Sequence, residues 1–224
     1  MIDEATRGIL QGAFLAFAAL FPVVNPLGIA PVFLTLTDSL TSAERRLLAG
    51  KVAVNGFALL LGSLFLGDLV LGFFGVSIPV VQVAGGLIVA TVGWNLLQAP
   101  DEEHERRDSM GYAVLESKTL YPLTLPLTVG PGSIAVAITI GANFPSTPQP
   151  FVADAAATGI GMALVVVSIY ACLGYADVVG RKLGRRGLAV VMRLSAFILL
   201  CIGVQIVWNG VDALFGISAR IGHP

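Results

Sequence analysis

Six apolar blocks, at 8–36, 51–74, 78–97, 119–142, 151–176 and 188–214, alternate with short polar connectors along the 224-residue chain. A helix needs about 20 apolar residues to cross a hydrocarbon core, and each block reaches or exceeds that length. The pattern predicts about six transmembrane helices. Strands of an outer-membrane barrel are shorter and alternate in period two, whereas these blocks are long and continuously apolar. The connectors collect the charges. The first, 38–50, holds Glu44, Arg45 and Arg46; 101–108 reads DEEHERRD and leads on to Lys118; 143–150 is neutral; 177–187 is basic.

The first and fourth blocks share a signature. Residues 21–31 read FPVVNPLGIAP and residues 121–131 read YPLTLPLTVGP. An aromatic residue and three prolines recur at the same spacing, with Pro22, Pro26 and Pro31 answered by Pro122, Pro126 and Pro131, and Leu27 by Leu127. Each stretch opens a three-span half. An odd number of spans per half makes the second half enter the membrane from the opposite side, as in the inverted repeats of many secondary transporters. The expected architecture is an all-α integral membrane protein with a 3+3 inverted-topology repeat, the first helix of each half broken by proline. Residues 1–100 form the first three-helix repeat, 101–118 a charged cytoplasmic connector and 119–224 the second repeat.

Proline lacks a backbone donor and clashes with the carbonyl one turn back. Glycines at Gly28, Gly130 and Gly132 loosen the local helix further. Inside a membrane, freed backbone groups are tolerated only where protein or a water-filled cavity surrounds them. The two stretches therefore predict a substrate or ion pathway lined by Asn25, Pro26, Gly28, Pro31, Thr124, Pro126, Thr128, Gly130, Pro131, Gly132 and Ser133, with Gln205 of the sixth block either lining it or joining helices. Plain kinked helices are the structural alternative. Asn55, Gln82 and Asn95 are expected to tie helices together, and Gly56, Gly62, Gly67, Gly72 and the Gly85-Gly86 pair to mark packing faces. Asp68, counted at 1.5 Å per residue from Lys51, lies about 25 Å across, near the outer interface. Asp177 is expected to be solvated at the start of the basic connector.

Composition narrows the picture. The chain is 56% hydrophobic and 12% charged, with mean hydropathy +0.87. Soluble domains carry about twice that charged fraction. The net charge of -1 offers nothing to nucleic acid. Cys172 and Cys201 sit in apolar blocks without a metal-ligand or disulfide pattern, His104 and His223 lie apart, and no nucleophile–base pair is evident, so neither an enzyme nor a cofactor is expected. The connectors after spans one, three and five hold Arg45, Arg46, Lys51, Arg106, Arg107, Lys118, Arg181, Lys182, Arg185 and Arg186, while the other face has only Arg7 and Arg220. The positive-inside rule places the basic side in the cytoplasm and both termini outside.

Four stretches carry a family resemblance: NPLGIAPVF (25–33), FGVSIPVVQVAGGLIVATVGWNLL (74–97), YPLTLPLTVGPGSIA (121–135) and RLSAFILLCIGVQIVWNGV (193–211). Together they resemble the MarC family of inner-membrane proteins over essentially the whole chain. Thr124 stands where that family often has alanine. The resemblance implies six spans in the cytoplasmic membrane and a distant similarity to amino-acid exporters of the LysE type. Some members look like neutral amino-acid transporters acting on glycine or alanine. By motif, Asn25, Pro26, Gly28, Pro31, Pro126, Gly130, Pro131 and Gly132 match the family's broken-helix cores.

The function expected from these readings is a secondary transporter in the lipid bilayer, moving a small metabolite such as a neutral amino acid by alternating access. A channel for a small solute or ion, and a non-transporting structural or regulatory membrane protein, are the alternatives. The coupling ion, proton or sodium, and pairing into a homo-oligomer are left open.

Overall fold

A computed structural model describes residues 4–98, 116, 119–125, 128–145 and 147–216. All regular structure among them is helical: α1 Glu4–Val24, α2 Pro26–Leu36, α3 Ser42–Phe74, α4 Ile78–Gln98, a π-helical turn at Thr119–Thr124, α5 Pro131–Ala142, α6 Pro148–Gly174 and α7 Ala176–Phe215. Among the described residues, five helical stretches are long and apolar enough to cross a membrane: Thr6–Leu34 (α1 with α2), α3, α4, α6 and Ala189–Phe215 of α7. The expectation of six is met only in part. The fourth apolar block forms the π-helical turn and the 12-residue α5, about 18 Å of helix, in place of one long span. The charged connector 101–118 lies outside the described residues apart from Glu116, which pairs with Lys51.

Two connectors turn out to be helix. Residues 38–50 enter α3 at Ser42, because Thr41 and Glu44 make a reciprocal cap: the Glu44 N–H donates to Thr41 Oγ1 (3.3 Å) and the Thr41 N–H to Glu44 Oε2 (2.9 Å). The basic stretch 177–187 belongs to α7, interrupted at Gly184, whose φ of 63° requires a residue without Cβ. These ends were hidden because charge marks where a helix leaves the hydrocarbon, not where it stops.

The core lies between α1, α2, α3 and α6, where Leu20, Val24, Phe33, Leu48, Val52, Leu60, Met162, Val165, Ile169 and Leu173 are buried. The outer surface is equally apolar: Phe14, Val54, Leu69 and Phe73 are all well exposed. Helices apolar on every side belong in a bilayer, and the chain is a multi-pass membrane protein. Helix pairing recurs between the halves, as in a chain with an internal repeat: α1 packs on α6 and the Thr119–Thr124 turn on α3, while α2 packs on α7 and α5 on α4.

The tightest contact is α4 against α7. The two run antiparallel, and at four levels a glycine of one meets the backbone of the other. A Cβ built on Gly86 would lie 2.7 Å from the Val207 nitrogen, on Gly93 2.6 Å from that of Leu200, and on Gly210 2.9 Å from that of Val83. At Gly203 it would overlap the Ala90 nitrogen. Such small-residue faces let backbones approach where lipid supplies no hydrophobic drive. Gly85 likewise faces Ala135, and Gly56 and Gly67 face Val129 and Ile138. Gly62 and Gly72 do not mark packing faces: a Cβ on either meets nothing within 4 Å.

Candidate functional site

The break between α1 and α2 is a single residue wide. Asn25 adopts the left-handed conformation (φ 50°, ψ 56°), and it is the non-glycine residue with positive φ among those described. Asparagine tolerates this region because its short amide can bond locally. Here Oδ1 accepts the Gly28 N–H at 3.1 Å, capping α2, while Pro26 occupies the first helical position, where no N–H is needed. The main chain stays bonded across the break, from the Asn25 N–H to Phe21 O (2.9 Å) and from the Ile29 N–H to Asn25 O (3.1 Å). Gly28 leaves room for this cap, since a Cβ there would overlap the Asn25 amide and displace it.

The second stretch is built differently. In the π-helical turn the Thr124 hydroxyl donates to Thr119 O at 2.7 Å, and the Thr128 hydroxyl to Leu123 O at 2.8 Å. Gly130 is extended (φ -93°, ψ 176°) and α5 begins at Pro131 with no side chain capping it. The Ser133 hydroxyl turns back to Gly130 O at 2.9 Å.

The N-termini of α2 and α5 meet at one cavity of about 270 Å³. It brings together seven residues singled out from sequence: Asn25, Gly28, Thr128, Gly130, Pro131, Gly132 and Ser133. Its other walls are apolar, from Val23, Val24, Ile29 and Val32, from Ile88, Val89, Val92 and Leu96 of α4, and from Leu199 of α7. None of these lining residues is ionisable. Pro26, Pro31 and Thr124 are buried beside the cavity without lining it. Gln205 is on the exposed side of α7, bonded to Asn209 and away from the cavity. Pro126 lies outside the described residues. The α4 and α7 wall residues escaped the sequence reading because Val, Ile and Leu facing a cavity look the same as those facing lipid.

A second polar cluster was also missed. Arg45, only 5% exposed, donates from Nη2 to Thr37 O (2.7 Å) and Leu40 O (3.2 Å) and from Nε to Thr37 Oγ1 (3.0 Å). Its Nη1 lies 3.9 Å from Asp177 Oδ2, which also accepts the Ser42 hydroxyl at 3.1 Å. Arg46 stands 5.9 Å above the Tyr175 ring. Asp177 is thus not simply solvated; it ties the α6–α7 corner to the α2–α3 corner. Gln82 does bridge helices, its Nε2 donating to Thr139 Oγ1 of α5 at 3.3 Å.

Comparison with known proteins agrees with this membrane architecture. The chain is 34% identical over 212 residues to the UPF0056 membrane protein MJ1677 of Methanocaldococcus jannaschii, covering 90% of this chain and 97% of that protein. It is 32% identical over 208 residues to the UPF0056 membrane protein YvbG of Bacillus subtilis, covering 89% and 93%. It is 33% identical over 209 residues to the UPF0056 inner membrane protein MarC of Salmonella typhimurium, covering 88% and 92%. No solved structure matches. The description of the family model that matches residues 10–215 is MarC family integral membrane protein, and the chain belongs to that family.

Proposed function

We propose that the chain is a secondary transporter that carries a small metabolite, a neutral amino acid such as glycine or alanine, across the cytoplasmic membrane by alternating access. The observation that carries this reading is the meeting of two helix N-termini at one cavity lined without any ionisable group. A helix N-terminus presents roughly half a positive charge, and at α2 the Gly28 amide is already taken by the Asn25 cap. The N-terminus of α5 has no side-chain cap, so the Gly132 and Ser133 amides are the seat for a carboxylate. The Thr128 and Ser133 hydroxyls spend their protons on carbonyls, which leaves their oxygens, with Asn25 Oδ1, to accept from an ammonium. Apolar walls then select a short uncharged side chain. A volume below the roughly 300–1,000 Å³ of drug-sized pockets suits a small solute.

Support for two inverted halves comes from the pairing of helices. Exchanging α1, α2, α3 and α4 for the Thr119–Thr124 turn, α5, α6 and α7 maps α1·α6 onto turn·α3, α2·α7 onto α5·α4, and α3·α6 and α4·α7 onto themselves. An antiparallel α4·α7 pair is what a two-fold axis in the membrane plane demands. In this reading the termini lie outside and the α2–α3 and α6–α7 corners are cytoplasmic. The cavity, running along α2 to Val32 and along α4 to Leu96, then occupies the inner half of the membrane.

The test is counterflow of labelled glycine, alanine and serine in proteoliposomes, with and without proton or sodium gradients. Saturable exchange is expected, and acceleration by one gradient would name the coupling ion. No flux from folded protein would sink the amino-acid assignment. Asn25→Ala removes both the cap and the residue suited to positive φ, and should lower exchange about tenfold at unchanged expression. Asn25→Gly, which keeps the backbone but loses the cap, should fall between. Undiminished exchange in Asn25→Ala would remove Asn25 from the mechanism.

A further inference from the structure

The third span of each half carries one outward-facing signature that the cavity does not use. On α4 it is Thr91, Trp94 and Asn95; on α7 it is Gln205, Trp208 and Asn209. The spacing is the same in both, one polar residue followed three and four positions later by Trp-Asn, so each set forms one stripe. All six residues are exposed. The middle residue of α4 is Ile88 and that of the Ala189–Phe215 span is Ile202. Thr91 and Gln205 therefore lie about 4.5 Å from the centre of their spans, and Asn95 and Asn209 about 10.5 Å, inside a hydrocarbon half-thickness of roughly 15 Å.

Lipid tails cannot bond these groups. Thr91 Oγ1 donates to Leu87 O at 2.8 Å and Gln205 Nε2 to Asn209 Oδ1 at 2.8 Å. The Asn95 amide, the Gln205 carbonyl and the Asn209 N–H groups keep unused capacity among the described residues. Polar groups in spans face protein or water, not hydrocarbon. We propose that this α4·α7 face is where two copies of the chain pair in the membrane. Carboxamides both donate and accept, so the face is complementary to itself, as the isologous interface of a two-fold dimer requires. The tryptophans supply large apolar contacts around the amides, each with an N–H to place. The proposal does not rest on the transport reading.

The experiment is single-molecule photobleaching of singly labelled chain in liposomes across a range of protein-to-lipid ratios. Two-step bleaching is expected for the natural sequence. The double variant Gln205→Leu with Asn209→Leu, which turns polar groups into apolar ones and spares the core, should raise the dissociation constant at least about tenfold. One-step bleaching of the natural chain at every ratio, or a double variant that dimerises as tightly, would overturn the proposal. A readout free of that variant uses Cys201, which is exposed one turn from Gln205. A membrane-permeable bismaleimide should join two copies of a Cys172→Ala chain through Cys201. If Cys201 labels with a monofunctional maleimide yet never cross-links, the surface is not the interface.

Discussion

Protein carrying Gly203→Leu is expected to be almost absent from membranes in folded form. A Cβ at Gly203 overlaps the Ala90 backbone nitrogen, and backbone cannot swing aside as a flexible side chain can. Overfilling a packed core costs about 1–3 kcal/mol even where neighbours can shift. Here the two helices must separate, which also opens the contacts at Gly86, Gly93 and Gly210, so the loss should exceed about 3 kcal/mol. Gly203→Ala should lower stability by a smaller step. Gly62→Leu is the matched control, because nothing lies within 4 Å of its Cβ position. Fluorescence-detected size exclusion of tagged variants measures the folded fraction. A Gly203→Leu chain that elutes and melts like the natural one would mean the helices do not touch as described.

Arg45→Met should cost about 3 kcal/mol, because removing one partner of a buried ionic cluster strands the others. The Leu40 carbonyl loses the guanidinium, the Thr37 carbonyl keeps only the Leu40 N–H, and Asp177 loses the Arg45 charge. For a chain of this size the melting temperature in detergent should fall by roughly 6–12 °C. Arg45→Lys retains the charge but not the planar fork that reaches two carbonyls and a hydroxyl, and should lie between. Asp177→Asn, at the more exposed partner (13% against 6%), should cost less than Arg45→Met. A melting temperature for Arg45→Met within a degree of the natural chain would show that the cluster is not holding the corners together.

The chain displays its spans more openly than its interior. Five of six blocks could be read as long helices because apolar length is a local property. The interruption in the first block was legible only in part: Pro26 opens α2 after the left-handed Asn25, whereas Pro22 and Pro31 lie inside helices. Arg45 could not be read correctly. In a short connector it resembles a solvated charge, and its ion-pair partner, Asp177, lies on another helix and in the other half of the chain. Gly62 and Gly67 differ in the same way. They have similar neighbours in sequence, yet one faces open space and the other Ile138. The Thr119–Thr124 turn, with Leu125 N–H bonded to Leu120 O at 2.8 Å, depends on a register that proline spacing alone does not set. The cavity polar groups were legible as a set because Pro, Gly, Asn, Thr and Ser are rare enough in apolar blocks to stand out, whereas its hydrocarbon walls were camouflaged by surroundings of the same kind.

The glycines shared between α4 and α7 also bear on movement. Sliding either helix by one residue would bring a side chain onto a level where only hydrogen fits, so the register of the pair is discrete. The two helices therefore travel as a single strut. What leans on that strut is set off from it by breaks in the chain: α2 begins after the left-handed Asn25, and α5 begins at Pro131.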